Sequence, residues 1–338
     1  MRRHDQTTPM SDCSLLEIRG LNLDFGTPRG RVHALRNVSL DVPAGRVVGI
    51  VGESGSGKST LAYTVMGLLP ENAEVTDGSI LFEGRDLLTL SSQARRGLMG
   101  DRLSMIFQDP MTALNPVRTI ENQMIDIQHH EQRSRSDKRA RAIDMLKRVG
   151  IPDPQSRITN HPHQFSGGMR QRICIAMALL VKPALLIADE PTTALDATLE
   201  VQIIHLLKDL QREIGCSILF VSHHLGVVAE LCDHVAVMYA GEVVEQGAVR
   251  DIFHNPAHPY TRALLECDPG RIRQRTRNLP TIPGEVPSLL GNKKGCIFRP
   301  RCPHAFDRCV QETPVVYSVG ADQVARCHLL DRPRMVAA

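Results

Sequence analysis

Val47-Val48-Gly49-Ile50-Val51-Gly52-Glu53-Ser54-Gly55-Ser56-Gly57-Lys58-Ser59 is the stretch from which the fold follows. Its first five residues form a short, nearly unbroken apolar run, the pattern of a strand buried on both faces of a parallel sheet. Glycines at 52, 55 and 57 then open backbone conformations closed to residues with a Cβ, so several N–H groups can converge on one anion. Lys58 adds a point charge for the outer phosphates of a nucleotide, and the Ser59 hydroxyl suits Mg²⁺. Helical sequence follows from Thr60 to Leu69 and stops at Pro70, aiming a helix N-terminus at the same anion. A glycine-rich turn with a chance lysine is the competing reading, and the flanking strand and helix weigh against it.

Two further apolar runs repeat the arrangement. Leu185-Leu186-Ile187-Ala188 ends in Asp189-Glu190, and Ser217-Ile218-Leu219-Phe220-Val221-Ser222 ends at His223. Each delivers a polar residue just past the carboxyl end of a strand, which is where open α/β sheets bind ligands. Asp189 is placed to hold Mg²⁺ through water, and Glu190 to orient and polarise an attacking water.

Between the first and second runs lies Phe165-Ser166-Gly167-Gly168-Met169, followed by helical sequence to Leu180 and a stop at Pro183. Ser166, Gly167 and Gly168 would present a hydroxyl, backbone N–H groups and a helix N-terminus to an anion. With Ser-Gly-Gly standing between a phosphate loop and an Asp-Glu strand end, the chain resembles the ATP-binding subunits of ABC transporters over roughly its first 250 residues. That resemblance implies an α/β P-loop fold: a RecA-like core sheet with an antiparallel β subdomain and a helical subdomain. It implies an ATPase whose ATP contacts are Gly52, Ser54, Gly55, Ser56, Gly57, Lys58, Ser59, Thr60 and Asp189. Gln108-Asp109-Pro110 resembles the family's Q-loop, with Gln108 near Mg²⁺ alongside Ser59 and Asp189. His223 resembles the switch histidine that meets the γ-phosphate, so the implied catalytic set is Glu190, His223 and Gln108. The family usually has aspartate after that histidine, whereas this chain has His224, whose role is open. Phe25 is the aromatic placed to stack on the base, at an offset lengthened by Thr27-Pro28-Arg29-Gly30, which reads as a small hairpin insertion.

In the family the signature binds the γ-phosphate held by the opposite subunit. Ser166, Gly167, Gly168 and Met169, with Asp196 of the Thr193-Ala194-Leu195-Asp196 segment, are therefore implied to act in trans, and two subunits sandwich two ATP molecules head to tail. The Phe165 and Met169 variants resemble the oligopeptide and dipeptide importer branch. That branch implies a second, distinct ATPase subunit, two transmembrane permeases, an extracytoplasmic substrate-binding protein, and a peripheral position on the cytoplasmic face of the inner membrane. A nickel or glutathione importer motor is the nearest alternative. A soluble ATPase acting on nucleic acid or ribosomes is the alternative from another class; no long coiled-coil insertion separates Ser59 from Ser166, and the motif set occurs once.

Composition agrees with a globular motor. The 338 residues suggest two domains, and 42% hydrophobic with 23% charged residues can build a sizeable core. A formal charge of +3 is too small to argue for nucleic acid as a partner. Residues 1–14 lack an apolar stretch and read as a loose tail. An ATP-binding domain is expected over 15–250, with its helical subdomain at about 110–180, where Ala140, Ile143, Leu146 and Val149 recur at helical spacing.

From 251 to 338 prolines recur and basic residues crowd Arg271 to Arg277, the latter read as a linker or solvated face. Four of the nine cysteines, Cys296, Cys302, Cys309 and Cys327, are compressed into this extension. Clustered thiols without a secretory signal argue for a metal or cluster over disulfides. Four thiolates suit either Zn²⁺ or a [4Fe–4S] cluster. Gly295-Cys296-Ile297-Phe298-Arg299-Pro300-Arg301-Cys302-Pro303 and Asn255-Pro256-Ala257-His258-Pro259-Tyr260-Thr261 resemble the C-terminal extension of oligopeptide and dipeptide importer ATPases, and that resemblance favours [4Fe–4S] over Zn²⁺. An extension so poor in regular apolar pattern could hardly bury a core alone.

Overall fold

The computed structural model describes residues 14–193, 195–268, 270, 280–291 and 294–331. The expected N-terminal tail, Ala194 and the basic run Arg271 to Arg277 lie outside these. Strands β1 (Ser14–Thr27) and β2 (Gly30–Pro43) form a long antiparallel hairpin, turned where Thr27 pairs with Gly30, so the suspected insertion is the hairpin tip. β3 (Val47–Val51) leads through the glycine loop into α1 (Lys58–Met66). This helix ends earlier than the proline at 70 suggests, because Gly67 takes a left-handed φ of 68° and its N–H closes back on Thr64 and Tyr63.

β4 (Ala73–Phe82), β5 (Arg85–Asp86), α2 (Ser92–Leu98) and β6 (Leu103–Ile106) follow. A helical segment comes next: α3 (Pro110–Ala113), α4 (Ile120–Asp126), α5 (Arg135–Arg148), α6 (Pro154–Arg157) and α7 (Gly167–Leu180). In α5 the buried face is Ala142, Met145 and Leu146, continued by Val149, while Ala140 is exposed. The helical period holds from Ile143, which packs against the core, through Leu146 and Val149; only Ala140 falls outside the buried face, and Met145 joins that face.

β7 (Leu185–Asp189), α8 (Ala197–Ile214), β8 (Ser217–Val221), α9 (Leu225–Leu231), β9 (His234–Tyr239), β10 (Glu242–Ala248), α10 (Val249–His254) and α11 (Pro259–Glu266) complete the cassette. The extension adds α12 (Asp307–Gln311), β11 (Tyr317–Ser318) and β12 (Val324–Ala325).

Two sheets result, one ordered β2-β1-β4-β5 and one ordered β11-β12-β10-β9-β3-β8-β7-β6. In the larger sheet β9, β3, β8, β7 and β6 run parallel, and β10 and β12 close its edge antiparallel. Alternate residues divide between two cores. Val47, Val51, Leu186, Ala188, Ile218 and Phe220 face the helices, whereas Val48, Ile50, Leu185, Ile187, Leu219 and Val221 face α1 and the smaller sheet. Period-two alternation on strands apolar on both sides makes this sheet the buried centre of the molecule. No helix among the described residues is long and apolar enough to cross a membrane.

The extension does not stand apart. β12 pairs with β10, Ile297 and Phe298 enter the helix-side core, and the Leu289 carbonyl accepts from His33 N at 3.0 Å. Buried Glu245 ties these pieces together, accepting from Ala257 N (2.7 Å), His258 N (2.9 Å) and Gln323 Nε2 (2.7 Å). Glu245→Leu would leave two buried backbone N–H groups and one amide N–H of Gln323 without acceptors and should destabilise the chain by about 3 kcal/mol, read as a lower urea midpoint.

Candidate active site

The parallel register brings the polar ends of three strands side by side. β3 pairs with β8 and β8 with β7, so the phosphate loop, Ser222-His223 and Asp189-Glu190 leave one edge of the sheet together. Gly52 has φ 154°, and a Cβ there would overlap the Met238 carbonyl oxygen; Gly57, at φ 100°, caps α1 in the left-handed region. The loop therefore curls so that the N-terminus of α1 faces its interior, with Ser54, Gly55, Ser56 and Thr60 along it.

Inside the loop, Lys58 Nζ donates to the carbonyl oxygens of Gly52 (2.9 Å) and Glu53 (3.0 Å). Burial lowers its pKa, opposed by the charges of Glu190, Asp189 and Glu53. Ser59 Oγ donates to Asp189 Oδ1 at 2.9 Å. Asp189 is fully buried, and its Oδ2 completes no hydrogen bond of ordinary geometry, although the Tyr63 hydroxyl acts on the carboxyl. Burial, assisted by the charge of Glu190, pushes this carboxyl above its ordinary range against hydrogen bonds from the Ser59 and Tyr63 hydroxyls and the charge of Lys58. A hydroxyl and a buried carboxylate on adjoining elements are a donor set that fits Mg²⁺.

Glu190 follows β7 with φ 45°, a left-handed conformation strained for glutamate. Its N–H is tied to Val221 O at 2.9 Å. Three side chains converge on its Oε2: Gln108 Nε2 at 3.2 Å, Thr193 Oγ1 at 2.9 Å and His223 Nδ1 at 3.2 Å. The residues expected to act together thus meet, joined by Thr193. His224 turns to another partner, its Nδ1 lying 3.0 Å from Glu200 Oε1, which also accepts from Thr192 Oγ1 at 2.7 Å.

Ser166 caps α7, its hydroxyl accepting from Met169 N at 3.4 Å, and Phe165 fills the core while Ser166 and Gly167 are exposed. Among the described residues no hydrogen bond or ion pair joins Ser166–Met169 to the phosphate loop of the same chain. Asp196 caps α8 by accepting from Leu199 N at 2.9 Å. Phe25 lies on β1 opposite Val32 and Ala73, partly buried against the sheet-side core. That Tyr260 and Arg301 meet Glu53 at the loop had no signal in the sequence, because these partners are remote in the chain.

The four cysteines expected to hold a metal or cluster lie near one another in the extension. Cys296, Cys302, Cys309 and Cys327 are free thiols, near enough to act on one another electrostatically. Among the described residues, however, no group of three or more His, Cys, Asp or Glu side chains is arranged to hold a metal ion. Burial, and more weakly the neighbouring thiols, pushes Cys296 up to about 12 and raises Cys302 and Cys327.

Comparison with known proteins follows the same line. A family model described as ABC transporter matches residues 35–193, and one described as oligopeptide/dipeptide transporter, C-terminal region, matches residues 244–309. The chain is 47% identical to a probable peptide ABC transporter ATP-binding protein of Sinorhizobium fredii, over 95% of this chain and 96% of that protein. It is 46% identical to the dipeptide transport ATP-binding protein DppD of Escherichia coli, over 93% and 96%. Among solved structures, a dimeric ATP-binding cassette in a post-hydrolysis state with ADP and Pi matches with a TM-score of 0.63 and 27% identity, over 70% of this chain and 99% of that one.

The buried Asp189 carboxylate makes a stability prediction. Because its folded pKa is raised, its contribution is fully present below the unfolded pKa and is lost as pH rises through the folded one. At neutral pH and without nucleotide, Asp189→Asn should therefore melt higher than the wild type, with the difference shrinking as pH is lowered through the carboxyl range. A variant that melts lower at pH 7 would remove the buried-charge account.

Proposed function

The chain belongs to the ABC transporter family, in its oligopeptide/dipeptide branch, and we propose that it drives peptide import through the site built on Glu190. It is an ATP-hydrolysing subunit that works as an ATPase dimer with membrane permeases, and so is a peripheral, membrane-associated protein. The observation that carries the reading is the meeting of Gln108, Thr193 and His223 on one oxygen of Glu190, next to Asp189, Ser59 and Lys58.

In this reading Gly52, Ser54, Gly55, Ser56, Gly57, Ser59 and Thr60 of the loop and the Lys58 ammonium hold the ATP phosphates, while Phe25 stacks on the base. Ser59 and Asp189, with Gln108, would hold Mg²⁺, which would supply neutralising charge for the phosphates. Glu190 orients a water and takes its proton as the water oxygen bonds to the γ-phosphorus. The bond from that phosphorus to the β-bridging oxygen breaks, ADP leaves with the electron pair, and phosphate is released. His223 stays on the γ-phosphate side of Glu190 to steady the developing charge. Ser166, Gly167, Gly168, Met169 and Asp196 complete the site of the opposite subunit, for which Ser166 is exposed and has no partner in its own phosphate loop.

The finer assembly proposed is a second, distinct ATPase, two permeases, an extracytoplasmic substrate-binding protein and attachment at the cytoplasmic face. Nickel or glutathione cargo, and a soluble ATPase acting on nucleic acid or ribosomes, find no support in the relatives named above. Reconstitution with the membrane subunits in liposomes should give peptide-stimulated hydrolysis; stimulation by DNA with indifference to permeases would overturn the assignment. Glu190→Gln should abolish hydrolysis and trap a closed, ATP-bound dimer, measurable by size-exclusion chromatography with ATP. Turnover within about twofold of wild type would remove Glu190 from its role.

The four thiols of the extension remain the donor set that [4Fe–4S], or alternatively Zn²⁺, would take, given their chemistry and mutual proximity. Binding would require the sulfurs to close on the ion and lose their protons. Iron, sulfide and zinc analysis of anaerobically purified protein should find iron and sulfide; zinc alone, or neither, would remove the cluster.

A further inference from the structure

The phosphate loop is gripped from outside by a segment that its motif does not include. Arg301 closes a 3-10 turn, Arg299–Arg301, in the extension, and its side chain is 4% exposed. The guanidinium forks onto Glu53, with Nη1 donating to Oε2 at 2.7 Å and Nη2 to Oε1 at 3.0 Å. Its other donations go to Pro283 O from Nε (2.9 Å), Ile282 O from Nη2 (3.0 Å) and the Tyr239 hydroxyl from Nη1 (3.4 Å). Every guanidinium N–H group is therefore used. The group also lies over the Tyr239 ring, 5.7 Å from its centroid.

The support beneath this fork is rigid. Tyr239 and Tyr260 pack with ring centroids 4.6 Å apart, and Phe298 sits 5.1 and 5.4 Å from them. Tyr260 Oη accepts from the Glu53 N–H at 2.9 Å. On its inner side the Glu53 carbonyl accepts from Lys58 Nζ at 3.0 Å and from Ser56 N at 3.2 Å. The residue gripped by Arg301 is thus the residue on which the phosphate-binding lysine rests.

We propose that Arg301 is a positioning residue of the ATP site: by fixing Glu53 it sets the backbone of the phosphate loop and the resting place of Lys58. This rests on the reading of Gly52 to Ser59 as the cradle for ATP phosphates. An arginine kept only for filling would be replaceable by methionine, and one kept only for charge by lysine. Neither substitute reproduces a planar fork that spans both carboxylate oxygens and three further acceptors.

The test uses the full chain assembled with its ATPase and permease partners, comparing Arg301→Met, Arg301→Lys, Glu53→Gln, the Arg301→Met/Glu53→Gln double variant and Lys58→Ala. Arg301→Met and Glu53→Gln should each raise the KM for ATP about tenfold with kcat within about twofold, and the double variant should be no worse than the poorer single. Arg301→Lys should fall between wild type and Arg301→Met. An unchanged KM in Glu53→Gln and in the Arg301 variants, even with a lower melting temperature, would overturn the proposal by reducing the fork to structure. If Arg301→Met does not accumulate, Arg301→Lys and Glu53→Gln carry the same comparison. Loss of ATP binding in Lys58→Ala alongside unchanged KM in the fork variants would remove this proposal and leave the cradle intact. Unchanged ATP binding in Lys58→Ala would overturn the cradle and this proposal with it.

Discussion

Parallel pairing of β3 with β8, and of β8 with β7, determines where every polar group of the site stands. These strands are buried on both faces, so their register is held by two cores at once, and a slip of one residue would exchange the side chains of one core for those of the other. With register fixed, Gly52, Asp189 and Ser222 emerge at neighbouring points of one edge. Chemistry then needs only short continuations: a glycine curl after β3, a left-handed glutamate after β7 and a histidine after β8. Precision at the site is inherited from the sheet rather than built by the loops themselves.

Much of this was legible because the signals are local. A run of Val47 to Val51 before a glycine curl, and Asp189-Glu190 after Leu185 to Ala188, each declare strand, exit and chemistry within a dozen residues. The meeting of Gln108 and His223 on Glu190 was implied by family resemblance, since nothing in spacing alone could bring residues 82 positions apart to one oxygen. What escaped was long-range or polar. The pair of Glu53 and Arg301 spans 248 positions, and β12 is only two residues long, too short to show an alternating pattern. Ala140 misled because alanine fits either face of a helix, and burial is decided by which face meets α7.

The extension shows how a segment with little apolar periodicity is ordered. It borrows structure from the cassette: a strand edge at β10, a carboxylate at Glu245, and aromatic rings at Tyr239 and Tyr260. Its own contribution combines a few apolar side chains, Ile297 and Phe298 among them, with hydrogen-bond donors and acceptors at buried positions. Such polar ties cost more when broken than they contribute when made, which gives the junction one arrangement and little tolerance for alternatives.

Asp189 has a consequence outside catalysis. A carboxylate enclosed where burial disfavours its charge makes the subunit less stable than its core would allow, and any ligand that binds only the folded state adds stability by mass action, about 2.7 kcal/mol at a hundredfold excess over Kd. Copies starved of nucleotide would open more often and be cleared sooner by proteases.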